Sequence, residues 1–341
     1  MDVDAFINRD DAEKTTFSKA AERYERDVLP GKRGKDQDGY VLKRVAKAFG
    51  AYSLASITPA RLSQYRDDRL KAVSPQTVIH ELGMVSRIFK AAAMDWGIAL
   101  PKGNPIALVR KPPLSNDRER RLENDEESLL LAALKQCESI WPHAAAVLAI
   151  ETAARQSELL ALLWEEIDLE QRVARVRGKE GGITKNGDTY RDVPLSKSAI
   201  ALFKSLPKAT KGKVLPLSQN ALQMAWDRAL TRARKAYMYQ LLRADLAEAG
   251  MDQEAQDREI RALIYKKRAP QAITLELIAR IEAEDKVLVD LHFHDLRHEA
   301  TSRLAEKLAM HELMKVTGHK TTRMLGRYYH PRAADLALKL D

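Results

Sequence analysis

The chain has one cysteine, Cys137, in 341 residues. A disulfide framework and a cysteine-ligated zinc site are excluded, and a reducing, cytoplasmic setting is the expectation. No apolar run approaches the roughly 20 residues that span a bilayer, so no membrane partner is expected. The first residues, MDVDAFINRDD, are acidic and polar rather than a signal peptide. No glycine-rich, phosphate-cradling loop is found. The acidic residues are scattered rather than clustered, which argues against a two-metal nuclease. Internal repeats and low-complexity tracts are also lacking.

What is present bounds the answer further. The length suits two domains, and 45% hydrophobic residues suffice for a sizeable core. A net charge of +9 favours a polyanionic partner, most simply nucleic acid, although an unrelated basic enzyme would carry the same charge.

The first hundred residues show no strand signal. Residues 1–14 are polar and expected to fray. Apolar spacing of three and four predicts helices over 16–28, 38–49, 58–71 and 74–96, the last two opened by Thr58-Pro59 and Ser74-Pro75. Asn104 to Arg121 carries tandem prolines and a basic bias, which reads as a linker, set at 111–123 between domains 1–110 and 124–341. Such a linker either lies along a DNA backbone or is an ordinary solvated connector. Further helices are predicted over 124–138 and 142–154, with 157–163 continuing helically. Val173 to Arg177 alternates as a strand, two more short strands are expected to flank the turn dipeptide Asn186-Gly187, and Val193-Pro194-Leu195 closes the sheet. The fold class is therefore mainly α with a small antiparallel β-sheet, α+β.

Three separated segments carry the chemistry. The stretch from Leu291 to His330 places His294 and Arg297 three apart, on one face of a helix whose Leu296, Ala300 and Leu304 form the buried stripe. A second helix, about 309–316, ends at Gly318, followed by His319 and, nine residues later, Tyr328. Upstream, Arg155 stands in TAARQSELLAL and Lys185 in ITKNG, at a hairpin tip. Singly these are weak signals: Arg155 pairing with Glu158 on a surface and Lys185 on a solvated turn fit each segment equally well.

Together, and in this order, they resemble the tyrosine recombinase (phage integrase) family. Arg155 matches the family's first arginine and Lys185, followed by Arg191-Asp192-Val193-Pro194-Leu195, its hairpin lysine. HDLRH supplies His294 and Arg297, TGHK supplies His319, and Tyr328 is the tyrosine beyond. The NP-x-x-LVRKP run and FHDLRHEA are similar to the shufflon-type DNA invertase branch. One departure is Ala153, where the family commonly has glycine; it is expected to shift the local turn without removing a functional group. The resemblance implies a helical core-binding domain followed by a catalytic domain, closing on duplex DNA. It further implies a 3′-phosphotyrosine intermediate, no cofactor or metal, a tetrameric synapse on DNA, and DNA-bending accessory proteins as helpers.

The residue types fit that chemistry on their own terms. A phosphodiester is an anion, and a guanidinium fork matches its oxygens, which suits Arg155 and Arg297 to transition-state charge. A tyrosine with pKa about 10 needs activation. A lysine beside phosphate can protonate the leaving 5′ oxygen, and His294 and His319 can hydrogen-bond phosphate oxygens and help manage the tyrosine proton. Glu158 reads as an orienting partner. Open alternatives are Tyr329 as nucleophile, Lys179 for Lys185, and His292, His294 and His298 as metal ligands. A type IB topoisomerase-like nicking-closing enzyme and a catalytically silent DNA-binding accessory protein remain alternative functions. Two further stretches carry expectations. Residues 234–286 read as an inserted hairpin of two or three helices, broken at Gly250 and Pro270. The tail 331–341 reads as a segment docking on a neighbouring protomer, with its own domain as the other site. With no room for an added domain before Thr16, a simpler recombinase is expected.

Overall fold

A computed structural model describes residues 10–32, 34–100, 102–114, 118, 120–178, 184, 187–207, 211–326 and 328. The chain divides into two compact units, Met1–Asp117 and Arg118–Asp341.

In the first unit short polar side chains set where helices begin. Thr16 caps α2 (Phe17–Asp27), Thr58 caps α4 (Pro59–Leu70) and Ser74 caps α5 (Pro75–Met94), each accepting a hydrogen bond from the backbone N–H three residues on. Pro59 and Pro75 occupy first-turn positions where no N–H is needed. Between them lies α3 (Lys35–Phe49). The expectation of fraying over 1–14 fails from Asp10 onward: α1 (Asp10–Lys14) is helical and buries Ala12. The stripe Val78, Leu82, Val85, Ile88 and Phe89 of α5 is buried in one cluster with Phe17 and Phe49. On the same helix the buried Glu81 is satisfied by a forked pair with Arg69 (2.9 and 2.8 Å), by Arg44 and by the Tyr65 hydroxyl. Ile106 and Val109 also join this core, so the linker-like composition from Asn104 does not mark the end of packed chain.

The second unit is built around α7 (Trp141–Thr152), whose Ala144, Ala145, Leu148 and Ala149 are all buried. It packs on α6 (Glu126–Lys135), α9 (Lys197–Ser205), α10 (Gln219–Glu248) and α13 (Asp295–Ala305). Among the described residues the one sheet is antiparallel, in the order β1 (Ile167–Asp168), β2 (Val173–Val176), β3 (Arg191–Pro194), with Val173 opposite Pro194 and Val176 opposite Arg191. Mainly helical with a small antiparallel sheet, this is the fold class the sequence indicates. Two details differ. β1 is two residues long, too short to alternate visibly. The helix expected over 157–163 stops early, as α8 (Gln156–Leu159), because Leu163 leaves to bridge Lys213. Of the strands expected around Asn186-Gly187, β3 follows the turn, while residues 179–183, 185 and 186 lie outside the described residues.

α10 changes partners along its length. Leu222, Trp226, Ala229 and Ala233 belong to the central core. Met238, Leu242 and Leu246 instead form a separate core with Ile260 of α11 (Gln253–Tyr265) and Ile281 of α12 (Ala272–Glu284). Gly250, at φ 84°, makes the turn out of α10. At the neck of this subassembly Arg234 donates to the Asp285 carboxylate and, at 2.7 Å, to its carbonyl. α14 (Met310–Thr317) and α15 (Thr322–Leu325) follow α13, and Gly318 closes α14 at φ 70°.

Candidate active site

The site is positioned by α13. Its first residue, Asp295, is fully buried and its carboxylate accepts the backbone N–H of His292 at 2.7 Å and a forked pair from Arg118 at 2.8 and 2.7 Å. A negative charge at a helix N-terminus is stabilised by the helix dipole. Arg118, Arg120 and Arg121 read as free linker charges; they instead pair with Asp295, Glu126 and Glu299.

Two residues along, Arg297 is 4% exposed. Its Nη1 donates to the Ala153 carbonyl and its Nη2 to the Thr317 carbonyl, the latter at 2.6 Å. Ala153 caps the C-terminus of α7, and Thr317 is the last residue of α14. One guanidinium thus satisfies carbonyls at two helix ends, where orphan acceptors and partial negative charge collect. It also fixes the segments carrying Arg155 and His319. Ala153 itself lies at φ 51°, the left-handed turn that glycine adopts without strain; an alanine there costs about 1–2 kcal/mol. The local turn is therefore the glycine-type one, kept despite the substitution.

Arg155 opens α8. Buried Glu158 accepts its backbone N–H at 2.9 Å and its Nη1 at 2.8 Å, and on the other side takes Nη2 of buried Arg191 at 2.6 Å. Arg191 comes from an inward position of β3 and also donates to the Val316 carbonyl at the end of α14. Burial pushes Glu158 up, but Arg191 and then Arg155 outweigh it and hold the carboxyl below its ordinary value. Burial, then the nearby Arg155 and Arg191, push Arg297 down to about 9, with Glu158 opposing. Three guanidinium groups therefore crowd one buried carboxylate.

Tyr328 lies beside them. Its hydroxyl is hydrogen-bonded to His298 Nδ1, and the two rings stack at 5.6 Å and 26°. His294 meets His298 edge-on at 5.1 Å, and the His319 ring is 6.4 Å from Tyr328. The Thr317 hydroxyl donates to the Leu313 carbonyl, so at 2.7 Å it accepts from His319 Nδ1–H. Of the residues picked out in the sequence, Arg155, His294, Arg297, His319 and Tyr328 come together here. Lys185, Lys179 and Tyr329 lie outside the described residues. Nearby, Asp188, Tyr190, Arg191, His319 and Lys320 line a cleft of about 420 Å³. His292 is exposed, 3.9 Å from Asp290, and among the described residues no set of three or more His, Cys, Asp or Glu is arranged to hold a metal. Sequence reasoning gave Arg191, Asp295 and His298 no part in this arrangement, where Arg191 pairs with Glu158, Asp295 with Arg118 and His298 with Tyr328. The available signals were an arginine at an inward strand position and a histidine four residues beyond His294.

The sequence pattern of the phage integrase family matches residues 120–335. The chain belongs to the phage integrase family. It is a site-specific DNA recombinase of the tyrosine class, a reading favoured over a nicking-closing topoisomerase or a silent accessory protein. This recombinase is 33% identical to a shufflon-specific DNA recombinase of Escherichia coli, over 96% of this chain and 72% of the relative. In fold it is similar to the Tn1549 transposon integrase in complex with circular intermediate DNA (TM-score 0.63, 17% identity, 96% of this chain and 99% of that one). A lambda integrase dimer bound to a core site matches equally (TM-score 0.63, 17% identity, 94% and 97%). No helix among the described residues is long and apolar enough to cross a membrane.

Proposed function

We propose that this recombinase cleaves and rejoins duplex DNA through a 3′-phosphotyrosine on Tyr328. Arg155 and Arg297 hold the non-bridging oxygens of the scissile phosphate, His294 and His319 hydrogen-bond the same oxygens, and Lys185 protonates the leaving 5′ oxygen. In cleavage the Tyr328 Oη–P bond forms and the P–O5′ bond breaks. The phosphodiester energy is kept in the new ester, so rejoining needs no ATP.

The observation that carries this reading is the cluster of Arg155, Arg191 and Arg297 around one buried carboxylate, with the Tyr328 hydroxyl beside it. Arg297 has five N–H donors and uses two on helix-end carbonyls. Excess positive charge held rigidly in a protected cleft favours an anion, and most of all the charge that develops as phosphate is attacked.

The first unit would serve as the helical core-binding domain, and residues 331–341, outside the described residues, would dock on a neighbouring protomer of a tetrameric synapse. The lambda integrase dimer on a core site supports self-association on DNA. Similarity to a shufflon-specific recombinase makes inversion the first outcome to test, in the cytoplasm, with DNA-bending proteins as candidate helpers.

The test compares binding with cleavage on a duplex bearing the site recovered by footprinting DNA that flanks the gene. Arg155→Ala and Arg297→Ala are each expected to lose ~10²–10³ in cleavage rate while retaining most affinity, since one phosphate contact among many changes binding little. Variants that bind poorly yet cleave normally at saturation would reassign both arginines to structural positioning.

A further inference from the structure

Among the described residues, the Tyr328 hydroxyl is held by a histidine to which the resemblance gives no role. His298 Nδ1 holds the Tyr328 hydroxyl, with the rings stacked. His319 has its Nδ1 engaged by Thr317, and His294 packs against the edge of His298. His298 is 7% exposed, so bulk water has little access to replace it. Its helix is anchored by Asp295–Arg118 at one end and by Arg297 between two carbonyls one residue before it, which fixes the ring.

We propose that His298 is the base that takes the Tyr328 proton as the tyrosine attacks the DNA phosphate. The inference rests on Tyr328 being the nucleophile. At pH 7 an ordinary tyrosine, with pKa about 10, is almost wholly protonated, whereas an ordinary imidazole, with pKa about 6.5, offers a lone pair. As the Oη–P bond forms, the phenolic proton passes to His298 Nδ1. The P–O5′ bond breaks and the 5′ oxygen takes its proton from the acid, assigned above to Lys185. Rejoining reverses each transfer: the 5′ hydroxyl attacks, Tyr328 leaves, and His298 returns the proton. Among the described residues, His294 at the start of the helix packs on His298 and His319 after α14 lies near Tyr328, Arg297 of the same helix feels Tyr328, and Arg155, Arg191 of β3 and Glu158 of α8 act on Arg297.

The experiment measures phosphotyrosine formation on a nicked suicide duplex between pH 6.5 and 9.5, for wild type, His298→Ala and His298→Gln. DNA binding and thermal unfolding report on the fold, and the glutamine variant, which keeps a hydrogen-bonding side chain, carries the test if alanine unfolds the protein. Both variants are expected to bind DNA but to form adduct about 100-fold more slowly at pH 7. Their rates should climb about tenfold per pH unit, as hydroxide replaces the base. A substrate with sulfur in place of the bridging 5′ oxygen, whose leaving group needs no proton, should rescue Lys185→Ala and not His298→Ala. Wild-type rates at pH 7, a deficit equal at every pH, or rescue by the sulfur substrate would each overturn the proposal. A Tyr328→Phe control that still forms adduct would instead bring down the nucleophile assignment itself.

Discussion

Glu158 shows how a single buried charge organises the cleft. It holds Arg155 on one side and Arg191 on the other, and Arg191 in turn reaches the end of α14. Removing one partner of a buried pair leaves the other charged and uncompensated, which costs about 3–5 kcal/mol. Glu158→Gln is therefore expected to lower unfolding stability by about 3 kcal/mol or more in urea titrations at pH 7; a change under about 0.5 kcal/mol would show that the pair is dispensable. The pH dependence has a definite sign. The folded-state pKa of Glu158 is depressed below its ordinary 4.5, so its contribution is intact above that value and is lost as pH falls through the folded one. The variant should lack that acid limb. At this scale the sequence singled out two arginines and a tyrosine, Arg155, Arg297 and Tyr328, that the structure brings together. It was unreadable where a role depends on distant chain. Arg118 and Asp295 are 177 positions apart, and His298 gains its role only when Tyr328 arrives.

Among the elements, α10 is the one whose two halves serve different cores. The change falls between Ala233 and Met238, and the chain comes back to the same place at Asp285, which Arg234 binds. A helix of 30 residues is about 45 Å long, so its outer half carries α11 and α12 away from the central core. Because Arg234 and Asp285 already touch, a short flexible linker can replace residues 236–284 without stretching the neck. Single-site cleavage should then survive while synapsis of two sites weakens, read as adduct yield against paired-complex yield in gel shifts. Loss of adduct on a single site would mean that the subassembly supports the catalytic fold. Helix starts were legible because Thr16, Thr58 and Ser74 cap with their own side chains. β1 was not, because two residues paired locally with Val173 and Ala174 are too few to alternate, and the early end of α8 was not, because Leu163 bridges the distant Lys213.

The whole molecule joins a helical unit to a mainly helical one with a small sheet, and the chain as a whole carries a net charge of +9. That charge suits a polyanion, but the site within the second unit determines what is done to it. The family match rests on residues 120–335, while the similarity to the shufflon-specific recombinase extends over 96% of the chain, first unit included. In the proposed mechanism the protein itself becomes esterified to DNA, with every catalytic role filled by a side chain. The most direct measurement traps that ester on a nicked suicide duplex in excess EDTA, digests the complex, and locates the attached nucleotide by mass spectrometry. The expected product is a 3′-phosphate on Tyr328, formed despite the chelator and missing from a Tyr328→Phe protein that still binds the duplex. Adduct at Tyr329, adduct persisting in Tyr328→Phe, or cleavage that stops with EDTA would contradict it.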